Sequence, residues 1–592
     1  MGEWSGAEIA VLGSELESFS VDTPGGRLHI RWDSEARATP NAQLAFFAEF
    51  LSTAGVYESW IASCPLRYAS SSGGDQHKRD VLGTWLLSIL AGHHRYSHIT
   101  GLRGDGVSPQ ILGMSKIVSE DALRRALARI SADQSRDWLR PQLLSSVRAA
   151  LETPWILDID TTVKTLSGKQ DGAEVSYNPH KPGRPSHALH TYYVGGLRLV
   201  LDVVVCPGKQ HAAAHARPGL NDILDSLSPE QLPALVRGDC GFGNEPFIAE
   251  LEKRGQPYLF KLRQTGGVKK MLMRQFARKD WSTPGPSDQG WSAVEDTLKL
   301  AGWDTSRRVV ILRRAAKSDV ALTSNSAEGQ MELLLPDQDV EVWEYAVLVT
   351  SSGYPLEAMA QLYRDRADAE NGFDELKNQW GWGGFTTQDI ERCQTSARAV
   401  ALIYNWWSWY CRAAKPEARM EAITSRALLL AAVGRATQHA GQTTLYLTPM
   451  HAAKSALMLL IANIRAALSH VRKVAEQSPA TDRWKTLLDY IVARIIPRRP
   501  RRLLDIGPLW LKIVATWQLA NIKRFGLEQI LHRVLAPAQL QLSALGRFGP
   551  AVEPQEWFVV PLSVIDEVMT RIQDGSITEW FYDRALGTLR RL

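Results

Sequence analysis

Cysteine is scarce in this chain. Five residues in 592 (Cys64, Cys206, Cys240, Cys393 and Cys411) are widely spread, with no Cys-x-x-Cys spacing. That argues against both a zinc knuckle and a disulfide framework, and it fits a reducing, cytoplasmic compartment. Long apolar runs are also missing. The most hydrophobic stretches, 399–410 and 456–462, are broken or ended by Asn405 and Asn463 and flanked by Arg398, Arg412 and Arg465. They are expected as core helices and not as membrane spans. The opening Met1-Gly2-Glu3-Trp4 lacks the basic-then-apolar pattern of a secretory signal. Internal repeats and low-complexity tracts are absent. A formal net charge of +5 excludes a strongly basic chain, so any nucleic-acid surface must be a local patch.

What is present is an ordinary globular composition, 45% hydrophobic and 22% charged. The chain is too long for one core and is expected to divide into about three to five parts. Residues 1–145 read as a separate, mostly helical N-terminal unit: a strand at 27–32, then helices near 44–51, 79–90 and 119–130. Ser119 suits an N-cap followed by Glu120 and Asp121, with Arg124, Arg125 and Arg129 on the exposed side. That helix is either a DNA-groove element or an amphipathic surface helix.

From Pro154 the pattern turns strand-rich. Strands are expected at 155–160, 190–194, 197–205, 234–237 and 257–262, with helices at 219–226 and 245–253. Three strands followed by alternating helices and strands indicate an α/β sheet with an antiparallel portion, in the order of an RNase-H-like fold. The core therefore falls in two parts, 146–262 and 343–412. Between them, 263–342 reads as a β-rich insertion with strands at 291–295, 308–313 and 331–335. Beyond residue 412 the chain reads as a helical C-terminal domain, 413–592. Its basic run Arg498-Arg499-Pro500-Arg501-Arg502 is either a DNA-backbone patch or a solvated linker. His211 and His215 have metal-ligand spacing but no adjacent Glu, so a metal site there is disfavoured.

The most informative segment is 362–377, read as one helix. At about 100° per residue, Tyr363, Arg366, Glu370 and Lys377 fall within an arc of roughly 60°, beside an apolar stripe of Leu362, Phe373, Leu376 and Trp380. Arg366 and Glu370 alone would pass for an ordinary (i, i+4) surface pair. Two aspartates upstream change that reading: Asp160, closing the strand 155–160, and Asp239, following the strand 234–237. Strand ends are where α/β sheets open a crevice. Three carboxylates meeting there repel one another unless cations join them, and Mg²⁺ or Mn²⁺ are the natural choice. Two such ions about 4 Å apart can activate a water or a 3′-hydroxyl and stabilise the leaving oxygen of a phosphodiester.

Tyr363, Arg366, Glu370 and Lys377 stand at intervals of two, three and six intervening residues. With the segments Leu157-Asp158-Ile159-Asp160-Thr161-Thr162-Val163, Tyr177-Asn178-Pro179-His180-Lys181-Pro182-Gly183-Arg184-Pro185 and Arg237-Gly238-Asp239-Cys240-Gly241-Phe242, in that order, the chain resembles bacterial insertion-sequence transposases of the DDE class. The resemblance runs from about Phe19 to about Tyr410. It implies that Asp160, Asp239 and Glu370 hold two metal ions and are catalytic, and that Tyr363, Arg366 and Lys377 contact phosphates at the element's ends. It further implies a nucleoid-associated enzyme acting as a homodimer on paired inverted repeats and target DNA. Lys181 and Arg184 are expected to touch DNA backbone. In this family an aromatic residue of the insertion receives a flipped base; its position corresponds to Ala346 here, with Trp343 and Tyr345 adjacent. Asp158 is expected to be structural. Two other readings compete: a non-cutting DNA-binding descendant of such an element, and a sugar transferase using Asp158-Ile159-Asp160.

Overall fold

The computed structural model describes residues 18–495, 534–535 and 562–591, apart from 34, 70–72, 177, 179–180, 210–211, 285–289, 316–342, 386, 449–453, 478–481, 575, 584–585 and 587. The expected strand at 331–335, His211 and the basic run at 498–502 lie outside the described residues.

The protein is mixed α/β, organised on one nine-stranded sheet. Strands β1 (Ser18–Thr23) and β2 (Gly26–Arg31) make a hairpin ahead of it, followed by the short β3 (Ala38–Thr39). The sheet contains β4 (Ile156–Thr165), β5 (Glu174–Val175), β6 (Pro185–Val194), β7 (Leu199–Pro207), β8 (Leu235–Gly238), β9 (Tyr258–Lys261), β10 (Ser292–Leu298), β11 (Arg307–Ala315) and β12 (Trp343–Thr350). Their order is β10-β11-β12-β9-β8-β4-β6-β5, with β7 also on β6. β4–β8 and β8–β9 are parallel and the remaining pairs antiparallel. Parallel neighbours need a crossover. The helix Glu245–Lys253 supplies it between β8 and β9, started by Asn244, whose side chain accepts from the Phe247 amide at 3.3 Å.

Strand composition explains the placement. β6 and β8 are buried on nearly every residue, polar side chains such as His187, His190 and Arg237 included. Such strands belong in the middle of a covered sheet. The strands of the 263–342 region, expected as a β-rich insertion, join the central sheet: β10 and β11 extend it through β12, with Ile311 opposite Val347. Their apolar Val309-Val310-Ile311-Leu312 run is buried, which requires cover on both faces.

The core ignores the expected boundary at residue 145. The helix Ile390–Ala414 is buried along most of its length, and Trp406 meets Trp60 edge-on at 5.8 Å while Trp407 meets Phe47 at 5.0 Å. Asn405, read as breaking an apolar stretch, is fully buried. Its amide group bonds the backbone N–H (2.9 Å) and C=O (2.7 Å) of Val200, as a neighbouring strand would. The region after residue 412 also differs from the all-helical expectation. β13 (Gly434–His439) and β14 (Gln442–Leu447) form a hairpin that pairs with β3, and β15 (Trp580–Asp583) pairs with β16 (Thr588–Arg591). Gly441, at φ 78°, makes the β13–β14 turn possible. No helix among the described residues is long and apolar enough to cross a membrane.

Candidate carboxylate site on the central sheet

Parallel register brings the two aspartates together. Ile159 on β4 pairs with Gly238 on β8, so Asp160 and Asp239 stand one step further on adjacent strands. Adjacent strands lie about 4.8 Å apart, so the two carboxyls share one edge of the sheet. Asp160 does not close its strand, as was expected; β4 continues to Thr165 because Thr161–Thr165 keep pairing with β6 after β8 has ended. Asp239 begins the turn that follows β8, and its Oδ1 accepts from the Gly241 amide at 2.8 Å.

A buried ion pair sets this register. Asp158 lies opposite Arg237, and the two side chains, each 2% exposed, form a two-point bridge at 2.6 and 2.8 Å. A third arm of Arg237 donates to the Leu362 carbonyl. One guanidinium therefore ties β4, β8 and the helix Leu356–Arg364 at the residue before Tyr363. Asp158 is structural, and the matching of Arg237 to Asp158, two residues before Asp239 and Asp160 respectively, was the sequence signal for its partner.

The expected single helix is two. Leu356–Arg364 ends, and Ala367–Gln379 begins after Arg366, with the Arg366 and Ala369 amides bonding three residues back instead of four. Both backbones stay helical at the joint, so the tightening rotates the second helix without reversing it. The second helix is seated by Phe373 against Tyr193 of β6 (5.3 Å) and by Arg198, whose Nε donates to Asp368 at 2.7 Å.

Arg366 then bridges two of the three acids, donating to Asp160 Oδ2 at 2.7 Å and Glu370 Oε1 at 2.8 Å. Tyr363 lies beside it, the guanidinium 5.8 Å from the ring centre. Burial pushes the Asp160 carboxyl up to about 7; Arg366 works against this, while Asp239 and Glu370 add to it. Burial also raises the Tyr363 phenol to about 12, opposed by Arg366. Lys377 is half-buried, and burial lowers its ammonium against the pull of Asp374 and Asp160. Asp160, Asp239, Tyr363, Arg366, Glu370 and Lys377 therefore occupy one neighbourhood. Among the described residues, no three acidic, histidine or cysteine side chains are gathered closely enough to enclose an ion. Glu370 is 61% exposed and turned to Arg366.

Other expected contacts lie further off. Lys181 is fixed to the far end of β4: its amide donates to Asn178 Oδ1 at 3.0 Å, and Asn178 donates to Thr165 Oγ1 at 2.9 Å. Arg184 follows in the same exposed loop. Trp343 and Tyr345 open β12, two strands from β8 on the same end of the sheet. Trp343 is covered by Arg313 at 4.3 Å, which also stacks on Trp281 at 4.0 Å, and Tyr345 packs on Phe276 at 5.6 Å.

Two acids on neighbouring parallel strands, Asp160 within β4 and Asp239 just past β8, are thus joined by a third, Glu370, from the following helix. The family "Transposase DDE domain group 1" matches residues 75–469, well over half of the chain, and the protein belongs to that family. The uncharacterized protein YeeC of Bacillus subtilis (strain 168) is 38% identical over 65 residues, 10% of this chain and 17% of that protein. The chain thus spans about a sixth of that relative's length. A piggyBac transposase, solved by cryo-EM as a synaptic complex with hairpin DNA, aligns over 79% of this chain and 88% of its own at 11% identity, with a TM-score of 0.33. That likeness is too remote to define a shared fold.

Proposed function

We propose that the protein is a metal-dependent transposase of the bacterial insertion-sequence group marked by the Tyr-Arg-Glu-Lys signature. In this reading it binds the terminal inverted repeats of its element, cuts the 3′ ends and joins them to target DNA. The observation that carries the proposal is the registration of Asp160 beside Asp239, with Arg366, Glu370 and Lys377 facing them from the next helix. The order β7-β6-β4-β8-β9, three antiparallel strands followed by two parallel ones, supports an RNase-H-like core at 146–262 and 343–412.

The donor set fits a hard divalent cation in kind. The acids supply only carboxylate oxygens, and Asp160 is held near 7 by burial and neighbouring negative charge, a condition that a cation relieves. Asp160, Asp239 and Glu370 would hold Mg²⁺ or Mn²⁺. The ions would supply activation of the attacking oxygen and stabilisation of the leaving one. As the side chains stand, Arg366 occupies the role of counter-cation between Asp160 and Glu370. Its transfer to a DNA phosphate leaves both carboxylates available. Arg366 can then pair with phosphate through two parallel N–H donors, while Lys377 offers a point charge. Tyr363, neutral at physiological pH, can donate its hydroxyl to a phosphate oxygen.

Two active sites are needed for two ends, so a homodimer on paired ends belongs to this proposal. The non-cutting alternative is disfavoured by the complete acid and cation set. The test is release of 3′ ends from DNA carrying the sequence that flanks the reading frame. Cutting that requires Mg²⁺ or Mn²⁺ upholds the proposal, whereas a gel shift without cutting supports the DNA-binding descendant.

A further inference from the structure

β4 leads from the carboxylates to a second basic place. It carries Asp160 in its middle and ends at Thr165. Around that end is a groove of about 550 Å³ whose lining includes His94, Arg95, Glu120, Arg124, Thr165 and Gln170. The N-terminal region therefore contributes to a surface shared with the central sheet. Arg95 is exposed and forms no ion pair among the described residues; it precedes Tyr96, which is buried against Phe385 at 5.3 Å and so fixes the local backbone. Arg124 stands on the helix Glu120–Leu127, which buries Leu123, Ala126 and Leu127 and is capped by Ser119. Its ion pair is a loose, solvent-exposed one to Asp121 at 3.8 Å. The Lys181–Arg184 loop is tied to Thr165 through Asn178, which adds two exposed cations at the same end. Glu120 is the one carboxylate in the lining.

Four cations with little internal neutralisation, held by buried neighbours, form a surface for a polyanion. The distance sets which part of it they meet. At about 3.3 Å per residue, Thr165 lies about 17 Å along the sheet from Asp160. Phosphates along one DNA strand advance about 3.4 Å each. We propose that this groove is a second DNA-backbone contact, gripping phosphates about five nucleotides from the one at the carboxylates. The proposal rests on the reading of the protein as a DNA-cutting transposase. It gives Arg95 and Arg124 a positioning role: they set the DNA axis relative to Asp160 and touch no reacting atom.

The full chain is titrated with a mixed-sequence DNA duplex over a range of KCl concentrations. Each phosphate contact contributes about 0.9 to the slope of log affinity against log salt, so Arg95→Ala/Arg124→Ala lowers the slope by about two and the affinity about tenfold at about 0.15 M salt. Glu120→Gln strengthens binding. Once the cut site is mapped, a neutral methylphosphonate about five nucleotides from it weakens binding by the wild type and not by the double variant. Both arginines are exposed, so the melting temperature of the double variant stays that of the wild type. Unchanged slope and affinity in a folded double variant overturn the inference. A wild type that binds DNA with this arginine dependence yet never cuts it upholds the groove and refutes the transposase reading. A wild type that binds no DNA refutes both.

Discussion

Asp160 is the acid whose protonation the structure has most altered. Its neighbour Arg366 would ordinarily keep a carboxylate ionised, yet burial and two other acids hold it near 7. A cation can bind only the ionised form, so metal affinity couples to this proton. Below about pH 7, Mn²⁺ affinity measured by electron paramagnetic resonance is expected to fall about tenfold per pH unit, and above it to level off. Asp160→Asn removes that dependence along with most of the affinity. A flat profile from pH 5 to pH 9 in the wild type contradicts the assignment. Asp160 and Asp239 were legible as candidates because each falls at the end of an expected strand. Arg366's bridge from Glu370 to Asp160 was not: helical spacing shows the (i, i+4) half, and the other partner comes from 206 positions away.

At the scale of elements, the Asp158–Arg237 pair joins two strands and the start of the signature helices. Removing one partner of a buried pair leaves an uncompensated charge and costs about 3–5 kcal/mol, whereas replacing both by apolar residues is often near neutral. Arg237→Met alone is therefore expected to lower unfolding free energy in urea by about that amount, while Asp158→Leu/Arg237→Met recovers most of it. The double variant still lacks the donor to the Leu362 carbonyl, so its DNA affinity stays low even where stability returns. Equal stability loss in single and double variants argues against the pair as the register lock. The helix 245–253 and the strands β8 and β9 were readable from residue periodicity and strand signals. The joint at Asp365–Arg366 was not, because both halves keep helical dihedrals and differ only in which carbonyl each amide reaches. The sheet-extending role of β10 and β11 was hidden as well, since their turns look like those of an independent β unit.

Across the whole molecule, a change in composition near residue 145 suggested a boundary that the packing does not respect. Trp60, Trp138 and Trp406 are in ring contact, and Trp409 donates to the Ser146 carbonyl at 2.6 Å. Pairings across more than 250 residues leave no local signature. Residues 44–147 and the central sheet are accordingly expected to unfold together. Trp406→Ala, a large-to-small change in that shared core, should cost about 3–5 kcal/mol and lower hydrogen-exchange protection in both regions at once. Two separate transitions, with only one moved by the substitution, contradict a shared core.

The central claim is that acids on neighbouring strands and the following helix act as one phosphodiester-cleaving site. The most direct measurement is Mn²⁺-dependent cutting of the element's end DNA by Asp239→Ala, with DNA binding followed in the same samples. Asp239 is half-exposed at a turn, so the variant is expected to fold and to bind DNA. Cutting lost by at least about a thousandfold with binding retained is the predicted result. Cutting at the wild-type rate contradicts the account.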